Sequence, residues 1–171
     1  MRTALHLALT VALVATVGAC SRRAPQELPP APINDNGGQG SSGGGVNGVV
    51  VPGSQADFVA SIAADRVFFD TDAYNIDSAD RATLDSQATW LRRYPNVRVL
   101  VEGHADERGT RDYNLALGQR RAEAARNYLV SIGIDGGRVN VISYGKERPE
   151  ATGSDEQSYA QNRRAVTITV Q

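Results

Sequence analysis

The sequence predicts an α+β fold, a two-layer sandwich in which helices pack against one mixed four-stranded sheet. Three observations lead there. Short apolar runs with strand character and two long segments of helical periodicity follow one another in the order strand, helix, strand, helix, strand, strand. The core-forming part, residues 54–171, comprises 118 residues, enough to bury a core without staples. The single cysteine, Cys20, lies outside that part, so no internal disulfide is available and the fold must stand on packing.

The folded part opens at Ser54–Ala60 with one or two turns of helix. Arg66-Val67-Phe68-Phe69 reads as the first strand, closed by the polar Asp70-Thr71-Asp72. A helix follows from about Ser78 to Tyr94. Asp77 or Ser78 supplies its N-cap, Leu84, Ala88 and Leu91 mark its buried stripe, and Pro95-Asn96 stops it. Val97, Val99 and Val101 alternate with Arg98, Leu100 and Glu102 as a second strand, ending at Gly103.

A charged loop leads into a second long helix, from Arg111 or Asp112 to Ser131, with Gly133 as its stop. Its core stripe is Leu115, Gly118, Ala122, Ala125, Leu129 and Ile132, and the small residues in the middle imply close packing on the sheet. Val139–Tyr144 is the third strand. A polar excursion with one helical turn near Gln157–Gln161 precedes the closing strand, Ala165–Val170. Right-handed crossovers make the two helical connections join parallel strands if those strands share a sheet.

Upstream, residues 1–19 read as a secretory leader with Arg2 as its positive start and an apolar run, Leu5–Val17, too short for a confident membrane span. Val17-Gly18-Ala19-Cys20 is similar to a bacterial lipobox, which makes Cys20 the lipidated first residue of the mature chain. An uncleaved anchor, or an ordinary signal followed by an incidental cysteine, are the alternatives. Residues 20–53 hold the anchor and a linker rich in Pro, Gly and Ser, with too little apolar surface to offset the entropy of ordering it. Its glycines are no phosphate loop, because no Gly-Lys-Ser/Thr follows them.

A net charge of -1 argues against a nucleic-acid binder. The chemistry concentrates in Glu102–Arg121. Asp106 follows the second strand, and Asn114, Leu117 and Arg121 share one helix face, adjacent to the core stripe but distinct from it. Ligand sites of such sheets lie at the C-terminal ends of parallel strands, so Asp70, Thr71, Asp72, Asp106 and the helix start should converge. A carboxylate and a guanidinium held close together suit a zwitterion: arginine forks to its carboxylate and aspartate accepts from its ammonium. The same two residues also fit a plain ion pair, or a helix cap.

An enzyme would need a metal cluster or a nucleophile with a base. His104 is the sole histidine of the predicted mature chain, and Asp106 and Glu107 are too close in sequence to flank one glycosidic bond. No catalytic residue, cofactor or metal is expected. His104 is expected to be a loop hydrogen-bonder, and Trp90 to cover core surface.

Several separated motifs occur in a recognisable order. They are Phe69-Asp70-Thr71-Asp72, Glu102-Gly103-His104-Ala105-Asp106-Glu107-Arg108-Gly109-Thr110, Tyr113-Asn114, Leu117-Gly118, Arg120-Arg121-Ala122, Ser143-Tyr144-Gly145-Lys146-Glu147 and Asn162-Arg163-Arg164-Ala165-Val166. With them, the stretch from Val67 to Val170 resembles the outer-membrane-protein-A-like domain family. The resemblance implies noncovalent binding of the diaminopimelate stem peptide of peptidoglycan, with Asp106 and Arg121 as the grip. It places Thr71 and Asp72 in the site, Asn114 and Leu117 along its lining, and Arg163 and Arg164 around it as orienting residues. Thr71 departs from relatives that carry an aromatic there, which shifts weight to the backbone.

The family also includes flagellar stator proteins and porins. The leader lacks a following spanning helix and no barrel precedes the domain, so a stand-alone lipoprotein is the expected form. Such a protein would be anchored in the outer membrane with its domain in the periplasm. It would work in envelope integrity and cell division with the Tol system, TolB being its exchange partner. Replacing Asp106 or Arg121 by Ala is expected to abolish wall binding and leave the fold intact.

Overall fold

The structure is a computed structural model and describes residues 50–170. The expected leader, the lipidated Cys20 and the linker as far as residue 49 lie outside the described residues. Helix α1 spans Gln55–Ser61, strand β1 Arg66–Phe68, α2 Ser78–Arg93, β2 Arg98–His104 and α3 Arg111–Ser131. A 3₁₀ turn at Gly136–Arg138 leads into β3, Val139–Gly145, followed by α4, Glu156–Asn162, and β4, Arg164–Val170.

The four strands form one mixed sheet in the order β1-β4-β2-β3. β4 is antiparallel to both β1 and β2, and β2 is parallel to β3. Strands β1 and β2 therefore run the same way, as the crossover rule requires, with the closing strand inserted between them. The first strand is one residue shorter than its apolar run, although Phe69 still donates its N–H to the Arg163 carbonyl at 2.9 Å. The second strand continues past Gly103 to His104, with a register shift between the two.

The core lies between the sheet and the helices. Val67, Val99, Val101, Val139 and Ala165 from the sheet join Leu84, Ala88 and Leu91 of α2 and Ala122, Ala125 and Leu129 of α3. Asp77 caps α2 reciprocally: its carboxylate accepts from the Asp80 N–H at 2.8 Å, and the Asp80 carboxyl accepts from the Asp77 N–H at 3.3 Å. Trp90 is a core residue, packed edge-on against Phe58 with ring centroids 4.9 Å apart. Its indole N–H donates to Asp57 at 3.2 Å and so docks α1.

Helix α3 sits unusually deep. A Cβ on Gly103 would overlap the Gly118 carbonyl, and one on Gly118 would overlap the Ser143 hydroxyl, so backbone meets backbone there. Ser143 Oγ also donates to the Leu115 carbonyl at 2.7 Å. Because the helix lies this low, loops on its flank reach over it. Asn114, Leu117 and Arg121 are therefore buried like the core stripe, not set apart from it, while Leu115 and Ile132 are only partly buried.

The chain enters the domain beside the start of β2. Gly53 lies against Tyr94 and Val97, and Gln55 accepts from the Thr169 N–H at 2.7 Å. The loop that follows β2 is at the strand's other end, about 20 Å away at ~3.3 Å per residue.

Candidate functional site

Three segments meet at that far end: the turn after β1, the loop Ala105–Thr110, and the first half of α3. Between them lies a cavity of about 530 Å³. All six residues singled out as ligand contacts, Thr71, Asp72, Asp106, Asn114, Leu117 and Arg121, line it.

Local rules fix the walls. Thr110 caps α3, its hydroxyl accepting from the Tyr113 N–H at 3.2 Å. Gly109, at φ +88°, makes the turn that precedes the cap. Asn114 donates its side-chain N–H to the Arg108 carbonyl at 2.7 Å and pins the loop to the helix. Asp72 occupies the left-handed region at φ 54°, uncommon outside glycine, and accepts from the Tyr113 hydroxyl at 3.0 Å.

Arg121 is fully buried. Its Nε donates to the Ala73 carbonyl at 2.8 Å, Nη1 to His104 at 2.9 Å and Nη2 to Asp70 at 3.1 Å. One guanidinium thus ties the turn after β1 to the end of β2. Burial pulls its pKa down to about 10, with the Asp106 charge opposing, so it is a cation at neutral pH. Three of its five N–H groups are committed to carbonyls, which leaves two.

Asp106 is 8% exposed. Burial by itself would raise its carboxyl, but hydrogen bonds from the Arg108 side chain and backbone, with the nearby Arg108 and Arg163 charges, outweigh it and hold the group below the ordinary aspartate value. Arg108 Nη2 lies 2.6 Å from one carboxylate oxygen, its Nε 3.2 Å and its N–H 3.1 Å from the other. Asp106 and Arg121 form no direct ion pair and neither caps the helix; Asp106 pairs instead with Arg108, and more loosely with Arg163 at 3.6 Å.

Ala105, Arg108, Gly109, Thr110 and Tyr113 also line the cavity without having been singled out, and of these Arg108 and Tyr113 bring large polar side chains to it. Arg108 also donates to Thr71 Oγ1 at 3.3 Å, and its guanidinium lies 4.5 Å from the centre of the Tyr159 ring. A loop residue that folds back two positions onto a carboxylate leaves no periodic signal. Tyr113, one turn from the cap, could have been found from the helix start. Arg163 behaves as an orienting residue, with Nε on the Phe69 carbonyl at 2.9 Å and Nη1 3.6 Å from Asp106. Arg164 instead pairs with Glu150 at 2.9 Å and does not line the cavity.

His104 is not a loop hydrogen-bonder. Its ring is 2% exposed at the end of β2, and neither ring nitrogen has a hydrogen-bond partner among the described residues. Burial, reinforced by the Arg164 and Arg148 charges, pushes the imidazole down to about 4, so it is neutral at physiological pH.

The cavity thus presents a carboxylate on one wall and a guanidinium beneath it, with Leu117 as an apolar patch between polar groups. A model of the OmpA family matches residues 68–163, more than half of the chain and the whole of this site. The chain belongs to the OmpA family. Among OmpA-family relatives, it is 49% identical over 168 residues to the peptidoglycan-associated lipoprotein of Rhizobium meliloti, covering 98% of this chain and 90% of that one. It is 54% identical over 129 residues to the protein of the same name from Agrobacterium fabrum, covering 75% and 72% of the two chains.

The crystal structure of the peptidoglycan-associated lipoprotein from Burkholderia pseudomallei matches at a TM-score of 0.62 and 44% identity, over 63% of this chain and 92% of that one. The C-terminal domain of Helicobacter pylori MotB matches at a TM-score of 0.59 and 19% identity, over 64% and 86%. That last match shows the OmpA-like fold alone.

Proposed function

We propose that this chain is a wall-anchoring lipoprotein, a binding module without catalysis, whose cavity holds the diaminopimelate side chain of a peptidoglycan stem peptide. The observation that carries the reading is the cavity itself: a carboxylate held ionised at Asp106 and a buried cation at Arg121 line one space with Thr71, Asp72, Asn114 and Leu117. A ligand end carrying both an ammonium and a carboxylate matches that pair. The ammonium takes the place of the Arg108 guanidinium on Asp106, and the carboxylate takes the free N–H groups of Arg121, with the Arg108 fork close by. Relatives named for their association with peptidoglycan support the assignment.

The finer parts of the reading belong to the same proposal. Residues 1–19 are a signal peptide, Cys20 carries the acyl chains, and residues 21–53 are a linker that reaches at most ~110 Å to a domain over 54–171. Two or three acyl chains give stable attachment where one gives only marginal binding. The protein then sits on the inner leaflet of the outer membrane with its domain in the periplasm. It ties membrane to wall within the Tol-Pal system, with TolB as a partner, and serves envelope integrity and division.

The test is a calorimetric titration of the unlipidated mature chain, made by Cys20→Ser, with a diaminopimelate-containing stem peptide and with its lysine counterpart. Lysine lacks the second carboxylate. Losing one charge-assisted contact costs about 1.5–3 kcal/mol, so the lysine peptide should bind roughly ten- to 150-fold more weakly. Equal affinity for the two peptides would overturn the assignment.

A further inference from the structure

A second cavity, of about 510 Å³, begins where the first one ends: Asp70 lines it, and the next residue, Thr71, lines the first. It is a groove at the outer edge of the sheet. Phe68 and Phe69 form part of its lining, with the start of α2 on one side and α4 on the other.

Two features set it apart from ordinary surface. Phe68 is 48% exposed in a strand whose neighbours are buried, so a large aromatic face is left to solvent beside the groove. Three carboxylates, Asp70, Asp77 and Asp80, stand round it, and none belongs to an ion pair among the described residues. The one cation that lines the groove among the described residues, Arg163, is already paired, 2.8 Å from Glu156 and 3.6 Å from Asp106. Burial raises the Asp80 carboxyl, backbone hydrogen bonds from Asp77 and Phe68 oppose it, and the Asp77 and Asp70 charges push the same way as burial.

The edge of β1 does not accept an added strand at this point. Its outward N–H, that of Phe68, already donates to the Asp80 carboxyl at 3.2 Å. Whatever occupies the groove is therefore held by side chains: an apolar group against Phe68, with positive charge among the carboxylates. The volume suits an anchor side chain and its neighbour. We infer that this groove receives a segment of a partner protein in which an aromatic or branched aliphatic side chain sits next to a lysine or arginine.

The inference does not depend on the wall-binding reading, because its groups line a different cavity. Its test is ¹⁵N-detected NMR on the unlipidated mature chain, titrated with acetyl-Phe-Lys-amide and with the neutral acetyl-Phe-norleucine-amide. Saturable shifts are expected at Phe68, at Asp77–Asp80 and along α4, with the neutral peptide at least threefold weaker. Phe68→Ser and Asp77→Asn should each weaken the lysine peptide by threefold or more. Asparagine still caps α2, and position 68 is half exposed, so both variants should melt within a few degrees of the parent. Equal binding of the two peptides, shifts confined to Asp106–Tyr113, or no saturable shift would overturn the proposal. So would self-association in sedimentation that Phe68→Ser abolishes, since it would give the groove to a second copy of the chain.

Discussion

Replacing Arg121 by Ala should cost the fold as well as the site. Three charge-assisted hydrogen bonds to the carbonyls of Asp70, Ala73 and His104 are lost, at about 1.5–3 kcal/mol each, or ~4–9 kcal/mol in total. Against that, the variant no longer pays to bury a cation. A guanidinium brought from 12.5 down to about 10 carries a desolvation penalty of ~3 kcal/mol. The hydrogen bonds win, and the net loss is about 1–6 kcal/mol. At ~4 °C per kcal/mol for a domain of this size, the melting midpoint should fall by roughly 4–24 °C. Arg121→Lys should recover only part of it, because one ammonium lacks the fork that reaches three separated carbonyls. Thermal unfolding followed by circular dichroism checks this. A variant that melts within about 3 °C of the parent while losing peptide binding would refute it, and would return Arg121 to the purely ligand-facing role its sequence position suggests.

Other predictions follow from the same geometry. Asp106→Asn should keep the melting midpoint within a few degrees yet weaken stem-peptide binding by roughly ten- to 150-fold in the titration described above. Gly103→Ala drives a methyl group into the Gly118 carbonyl and should destabilise by about 3 kcal/mol or more, read as a lowered urea midpoint. His104, at about 4 when folded against 6.5 when free, contributes stability that is full above pH 6.5 and drains as pH falls towards 4, up to ~3 kcal/mol. His104→Leu should flatten that part of the stability profile, and urea midpoints that fall equally with pH in both proteins would contradict the assignment.

Much of the fold was legible because it is written in local signals. The Asp77 cap, the stripe of Leu84, Ala88 and Leu91, and the alternation of Val99 and Val101 each follow from neighbours in sequence. The insertion of β4 between β1 and β2 does not, since it rests on pairings such as Val67 with Ala165, 98 residues apart. The site was legible to the same degree. Motif resemblance picked six residues that line one cavity, but spacing gave Arg121 a face adjacent to the core stripe and distinct from it. It could not foresee that Gly103 and Gly118 let the helix sink until the guanidinium was held by carbonyls of the turn after β1 and of the end of β2. Arg108 was hidden for a related reason: its partner is two residues away in a loop, where no period operates.

The placement of Gly53 beside the start of β2 also has a mechanical side. A tension applied between that entry and the cavity runs nearly parallel to β2, which is hydrogen-bonded on one edge to β3 and on the other to β4. The load enters through α1 and β1, so it falls first on the β1–β4 ladder, in shear, and the bonds of that ladder share it. Had the entry and the cavity lain on the same end of the sheet, the same pull would peel one pair at a time. A domain entered from that end resists extension along its strands.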